Sequence, residues 1–191
     1  METLTWVALA LVGLVLLAWY LTYSAARLDR LHAKVEGSLA ALDAQIVRRA
    51  ESALELGTAG LLDPASSLLL VDAASQSLER ANGRNADDLL RGQTFAGREG
   101  AESDLTAALE VALTPEAVAD VLMRGGEPAE DILARIQASG LRVQLARRFH
   151  NQAVTEVRRV RRKPIVTVFR LAGRAAMPET VEFDDEMPVL P

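Results

Sequence analysis

Asp43, Gln45, Arg48 and Arg49 are the densest polar group in the N-terminal half of the chain. Gln45 and Arg49 stand four residues apart and share a helix face, whereas Asp43 and Arg48 are five apart. Joined by Asn151 or Arg147 from a distant segment, they make either a polar binding patch between helices or hydrogen bonds that fix helix register. Both readings need partners, because burying an unpaired polar group is costly. His32 and His150 are the only histidines, and neither has a second histidine or a carboxylate at metal-ligand spacing. His150 lies seven residues from both Val143 and Val157, beside an apolar stripe, and reads as a packing residue. Ser66, Ser67, Ser75 and Ser77 sit in no nucleophile-elbow pattern. Gly97-Arg98-Glu99-Gly100 lacks the terminal Lys-Ser/Thr of a phosphate loop, and the Glu-x-x-His pairs of di-iron bundles are missing. The chain has no cysteine, which excludes disulfides and thiolate chemistry. No catalytic, cofactor-binding or metal-binding residue is therefore expected.

A second constellation is basic. Arg158, Arg159, Arg161, Arg162 and Lys163 place five cations in six positions. No aromatic residues are interleaved and the net charge is -5, so nucleic acid is not the expected partner. The run reads either as a solvated charge patch or as a contact for anionic lipid. Ile165, Val166, Val168, Phe169, Leu171 and Ala172 follow it, a segment suited to lie in a membrane interface or to pack back on the protein. Glu179 to Glu186 is acidic with two apolar points, and disorder, pairing with the basic run and a partner-binding motif all stay open.

These groups need elements to position them. Leu4 to Thr22 carries no charge over nineteen residues, a length that spans about 28 Å as a helix. Trp6 lies near one edge, with Trp19, Tyr20 and Tyr23 at the other, where amphipathic rings prefer to sit. A signal peptide cleaved near Ser24-Ala25-Ala26 is the competing reading, but the apolar run is longer than a usual signal core. Arg27, Arg30 and Lys34 follow the span and no cation precedes it, which predicts the N-terminus outside and the domain in the cytoplasm. The GxxxG pattern is missing, and the oligomeric state stays open.

Beyond the anchor (residues 1–23), Leu28, Leu31, Val35, Leu39, Leu42, Ile46, Ala50 and Leu54 recur at helical steps, predicting an unbroken continuation that ends near Gly57 and Gly60. Asp63-Pro64 opens a second helix through Leu68, Val71 and Leu78 to Asn82-Gly83. Arg84 to Gly100 reads as a loop, with a helical turn at Ala86 to Arg91. A third helix is expected from Ser103 to Leu113, a short one from Thr114-Pro115 to Leu122, and a long one from Pro128 to Arg162. The last carries the stripe Ile132, Ile136, Val143, Ala146, Phe149, Ala153, Val157 and Val160, and Pro164 ends it. The expected architecture is all-α: a transmembrane helix, an antiparallel four- to five-helix bundle over residues 24–163, and a partly disordered tail over 164–191.

Three stretches resemble the LemA family of bacterial membrane proteins. They are Leu42-Asp43-Ala44-Gln45-Ile46-Val47-Arg48-Arg49-Ala50, Ala146-Arg147-Arg148-Phe149-His150-Asn151-Gln152-Ala153-Val154, and the tail around Val181-Glu182-Phe183. His150 stands at the family's tyrosine position, and no Y-P element precedes the last helix. The resemblance implies a membrane-anchored helical bundle and transfers no catalytic residues. The expected function is a non-enzymatic scaffold or adaptor at the cell membrane, with the lipid bilayer and a protein as partners. The alternative is a membrane-bound enzyme or small-ligand receptor with a polar site inside the bundle.

Overall fold

The computed structural model describes residues 1–82, 95, 97–173 and 175–188. The described residues are all-α, without a strand. Helix α1 (Glu2–Thr58) runs 57 residues without a break, so it extends about 85 Å. Its first part, through Tyr20, is exposed throughout and is long and apolar enough to cross a membrane. Its second part buries the expected stripe from Leu28 to Ala50, with Ala53 rather than Leu54 continuing it.

Helix α2 (Pro64–Asn82) begins as its sequence predicts: Asp63 Oδ1 accepts from the amides of Ala65 (3.0 Å) and Ser66 (3.1 Å). Its buried face is Leu70, Ala73, Ala74 and Ser77, while Leu68, expected inward, is exposed. Helix α3 (Glu99–Ala112) starts a turn earlier than Ser103, because the Glu99 carboxylate accepts from the Gly97 amide (2.9 Å) and stabilises the first turn. Thr114 caps helix α4 (Pro115–Arg161) through the Ala117 amide at 3.2 Å. At Gly126 (φ 54, ψ -142) the path breaks, in a backbone region that glycine enters readily, and then resumes as helix. A five-residue turn, α5 (Pro164–Val168), follows. The helical turn expected at 86–91 lies outside the described residues.

Helices α1 and α4 are the long antiparallel pair: Lys34 meets Glu156 at 3.0 Å and Glu55 meets Arg135 at 2.6 Å. Helix α2 packs on α1, and α3 packs on α2. Three apolar layers result. The layer nearest the apolar span joins Leu28, Leu31 and Val35 to Val154, Val157, Val160 and Val166. A middle layer holds Leu39, Leu42, Ile46, Phe95, Val143, Val181 and Phe183. The largest layer, at the far end, gathers α1, α2, α3 and α4 around Leu56, Leu70, Leu105, Leu109 and Ile136. Within the α4 stripe, Phe149 is a correction. It is 62% exposed, and its neighbour His150, at 2%, takes the inward position.

Candidate functional site

Asp43, Gln45, Arg48, Arg49 and Asn151 do not gather in one place. Arg49 is wholly buried and belongs to a network that spans three helices. Its guanidinium donates to the Glu102 carboxylate (3.0 Å), the Glu102 carbonyl (3.1 Å) and the Thr106 hydroxyl (3.1 Å). Glu102 is equally buried, and its other carboxylate oxygen accepts from Ser77 at 2.7 Å. Burial pushes the Arg49 guanidinium below its usual value, and Glu102 works against that shift. Asp43 pairs with Arg98, which also lies 3.8 Å from Glu102 and sits over the Phe95 ring. Gln45 is half-buried, with its carbonyl oxygen in contact with no donor among the described residues, and Arg48 is exposed. Asn151 faces elsewhere, toward the tail.

Residues 175–188 run as an extended strap along α4. Asn151 binds the Val181 backbone with both ends of its amide, donating to the carbonyl (3.0 Å) and accepting from the N–H (2.9 Å). Gln144 donates to the Asp185 carbonyl (2.6 Å) and Arg158 to the Pro178 carbonyl (2.8 Å). Arg147 grips the Asp185 carboxylate with two bonds (2.7 and 2.8 Å), and this hydrogen-bonded charge raises the Arg147 pKa. Across the groove, Ser103 accepts from the Asp184 amide (3.0 Å) and Thr106 donates to its carbonyl (2.7 Å).

Between these clamps, Val181, Phe183 and Asp185 point inward. Phe183 stacks on Phe95, with ring centroids 5.8 Å apart, beneath the guanidinium groups of Arg49 and Arg147. Gly140 makes room for the strap: a Cβ there would overlap the Met187 thioether. The acidic residues of the tail thus pair with Arg147 and not with the basic run, whose Arg158 and Arg161 reach only backbone carbonyls ahead of Glu179.

His150 lies under the strap with its Nδ1 3.1 Å from Ser38 Oγ. Burial lowers its pKa, and hydrogen bonds to the Glu179 and Val35 backbone oppose this. His32 is also lowered, first by burial and then by the Arg161 charge.

The five-cation run divides. Arg158 is committed to the strap, as is Arg161, which donates to the Ala175 (2.8 Å) and Ala176 (2.6 Å) carbonyls. Arg159, Arg162 and Lys163 are exposed at the end of α4 nearest the apolar span. On another face of α4, Leu141 (51%), Leu145 (52%) and Phe149 (62%) are exposed at four-residue steps. They cover an arc of roughly 80° on the helix, with Arg148 about 20° beyond one edge and Arg142 about 20° beyond the other.

Sequence reasoning missed Glu102, Thr106, Arg98, Arg147 as a tail clamp, and Phe183. Two signals were available: Arg49 falls in phase with Leu42, Ile46, Ala50 and Ala53, and Val181 and Phe183 are spaced two apart as along a strand. The chain matches no protein-family model, no curated protein and no solved structure.

Proposed function

We propose that the protein is a single-pass, membrane-anchored scaffold of the LemA type, non-enzymatic, whose domain lies in the cytoplasm and binds a protein through α4. The membrane part of this reading is supported by the exposed apolar start of α1 and by Arg27, Arg30 and Lys34 just beyond it. The observation that carries the scaffold reading is the Leu141–Leu145–Phe149 stripe bordered by Arg142 and Arg148. Isolated exposed leucines need no explanation, but three in register on one rigid helix form an anchor line for a partner helix. The arginine borders favour an amphipathic helix with acidic flanks. They disfavour a second copy of the same face, since a two-fold contact would set arginine against arginine. Against the enzyme alternative, Arg49, Glu102, Ser77 and Thr106 are engaged with each other and with the tail, and the residues expected to line a site are dispersed.

A photo-crosslinking amino acid at Leu145 in intact membranes tests this, with one at Val111 on α3 as the control. The expected result is one discrete heterologous adduct at position 145, absent at 111 and lost in the Arg142→Glu/Arg148→Glu variant. A self-adduct of doubled mass, or adducts unchanged by the charge reversal, would overturn it. External protease cleavage of the domain in intact cells would overturn the orientation.

A further inference from the structure

We infer that the turn after α4 is a second membrane contact, a cationic wedge that seats on anionic lipid beside the anchor; the inference rests on the reading of α1 as a membrane span. The packing fixes its height. Val166 is 3% exposed and packs with Leu28 and Leu31, and Leu28 is only about 9 Å along α1 from Thr22, the last residue of the apolar run. Coverage of α1 begins lower still, at Leu21, Ser24 and Ala25, whereas every residue from Met1 to Tyr20 is exposed. The turn therefore stands at the depth of the headgroups once α1 crosses a bilayer.

Its chemistry suits that depth. The turn exposes the apolar side chains of Val168 (73%) and Phe169 (44%). Around them, Arg159, Arg162, Lys163 and Arg170 are exposed cations, and Arg27 and Arg30 stand exposed on the adjacent stretch of α1. Acidic side chains are sparse at this end: Asp29 is the one carboxylate between residues 3 and 35 and none occurs between 157 and 178. Arginine and lysine next to an exposed apolar tip fit an interface of phosphate headgroups over acyl chains. Each cation brought near an anionic surface strengthens attachment by about fivefold.

The backbone adds an independent sign. The turn closes as a Schellman motif, with Leu171 N–H bonded to the Val166 carbonyl (3.0 Å) and Arg170 N–H to the Thr167 carbonyl (3.3 Å). Leu171 packs against the same layer as Val166, the apolar contact this motif usually carries. The left-handed position is normally glycine, yet here it is Arg170 at φ 49, the single non-glycine residue with positive φ among those described. The strained position holds a guanidinium at the tip next to Phe169, where a glycine would close the turn more readily without placing charge.

Because the chain has no cysteine, single labelled cysteines can report depth in the full-length protein. An environment-sensitive fluorophore is placed at Val168→Cys, at Leu14→Cys inside the span, and at Met123→Cys, which is 78% exposed at the far end. The protein is reconstituted in phosphatidylcholine vesicles with or without a third of phosphatidylserine, and quenching by spin-labelled lipid is read.

The expected result is a label at 168 that is several-fold more quenched with phosphatidylserine than without. That gain should disappear in high salt and in the Arg159→Gln/Arg162→Gln/Lys163→Gln/Arg170→Gln variant, while the label at 123 stays unquenched. A label at 168 that behaves like the one at 123, while 14 is quenched, overturns the wedge and leaves the anchor standing. Equal quenching at 168 in both lipids overturns the anionic preference. An unquenched label at 14 overturns the anchor itself, and the wedge with it.

Discussion

Replacing Glu102 with alanine tests whether the buried network holds the helices together as a charge pair. Arg49 and Glu102 are both 0% exposed, so removing the carboxylate strands a guanidinium where water cannot reach it. Breaking one side of a buried pair costs about 3–5 kcal/mol, and the Ser77 hydroxyl, which loses its acceptor, adds about 1 kcal/mol. Arg98 contributes less, because Asp43 still neutralises it. The expected loss is about 4–6 kcal/mol, a large part of the roughly 5–15 kcal/mol that holds a typical domain.

The companion variant Arg49→Met/Glu102→Leu removes both charges and refills their volume, so it should lie closer to the wild type than Glu102→Ala alone, despite leaving Thr106 and Ser77 with fewer partners. Urea unfolding of the full chain in detergent micelles, followed by circular dichroism, measures both variants, with an unchanged m-value confirming that the same surface unfolds. A loss below about 1 kcal/mol for Glu102→Ala, or a double variant less stable than the single, would refute the reasoning.

Two further outcomes follow from the strap and the histidines. Asn151→Ala removes the acceptor of the Val181 amide, so exchange of that amide should quicken about tenfold, the equivalent of one to two lost hydrogen bonds; unchanged exchange would mean that the apolar contacts of Val181 and Phe183 hold the strap unaided. His150 and His32 have folded pKa values below 6.5, so the unfolded chain binds more protons in the window under pH 6.5: their stabilising share is full above that value and declines as pH falls toward the folded pKa, by at most about 1.4 kcal/mol per pH unit for each proton. Urea midpoints between pH 5.5 and 7.5 should therefore fall with acidity, and His150→Gln should flatten the profile; an equally steep profile in that variant would assign the effect elsewhere.

Local patterns were legible wherever the cause was local. The α1 stripe as far as Ala50, the Asp63 and Thr114 caps and the break between Leu122 and Pro128 each depend on residues within a turn or two, and each stands where its sequence placed it. In α2, Leu68 reads as inward because it resembles a core residue by type, while the buried positions are Leu70 and the small Ala73, Ala74 and Ser77 that let α2 approach α1 and α3; Val71 and Leu78 are partly buried. Phe149 misled in the same way. The pairing of Arg49 with Glu102 could not be read at all, since they are 53 positions apart on different helices. The strap was hidden for a different reason. Its alternation covers only Val181 to Asp185, and its acidic residues look solvated until Arg147 and Ser103 are placed opposite them.

How a helix can hold an extended strand follows from the two rises. Gln144, Asn151 and Arg158 lie seven residues apart on α4, two helical turns, so each stands about 10.5 Å from the next on one face. Their backbone partners are Asp185, Val181 and Pro178, four and three residues apart in the strap. At about 3.3 Å per residue those intervals are at most roughly 13 and 10 Å, which reach from rung to rung only if the strap is close to extended and antiparallel to α4. A helical tail would rise half as far per residue and could meet one rung at a time. The ladder therefore selects an extended chain by spacing, and Phe183 and Asp185, on the same face as Val181, set the register by filling the aromatic and arginine slots. A shift of one residue would turn Glu182 and Asp184 inward into the apolar layer of Leu39, Leu42, Ile46 and Val143 and expose Val181 and Phe183, so the polar ladder and the apolar slots enforce the same alignment.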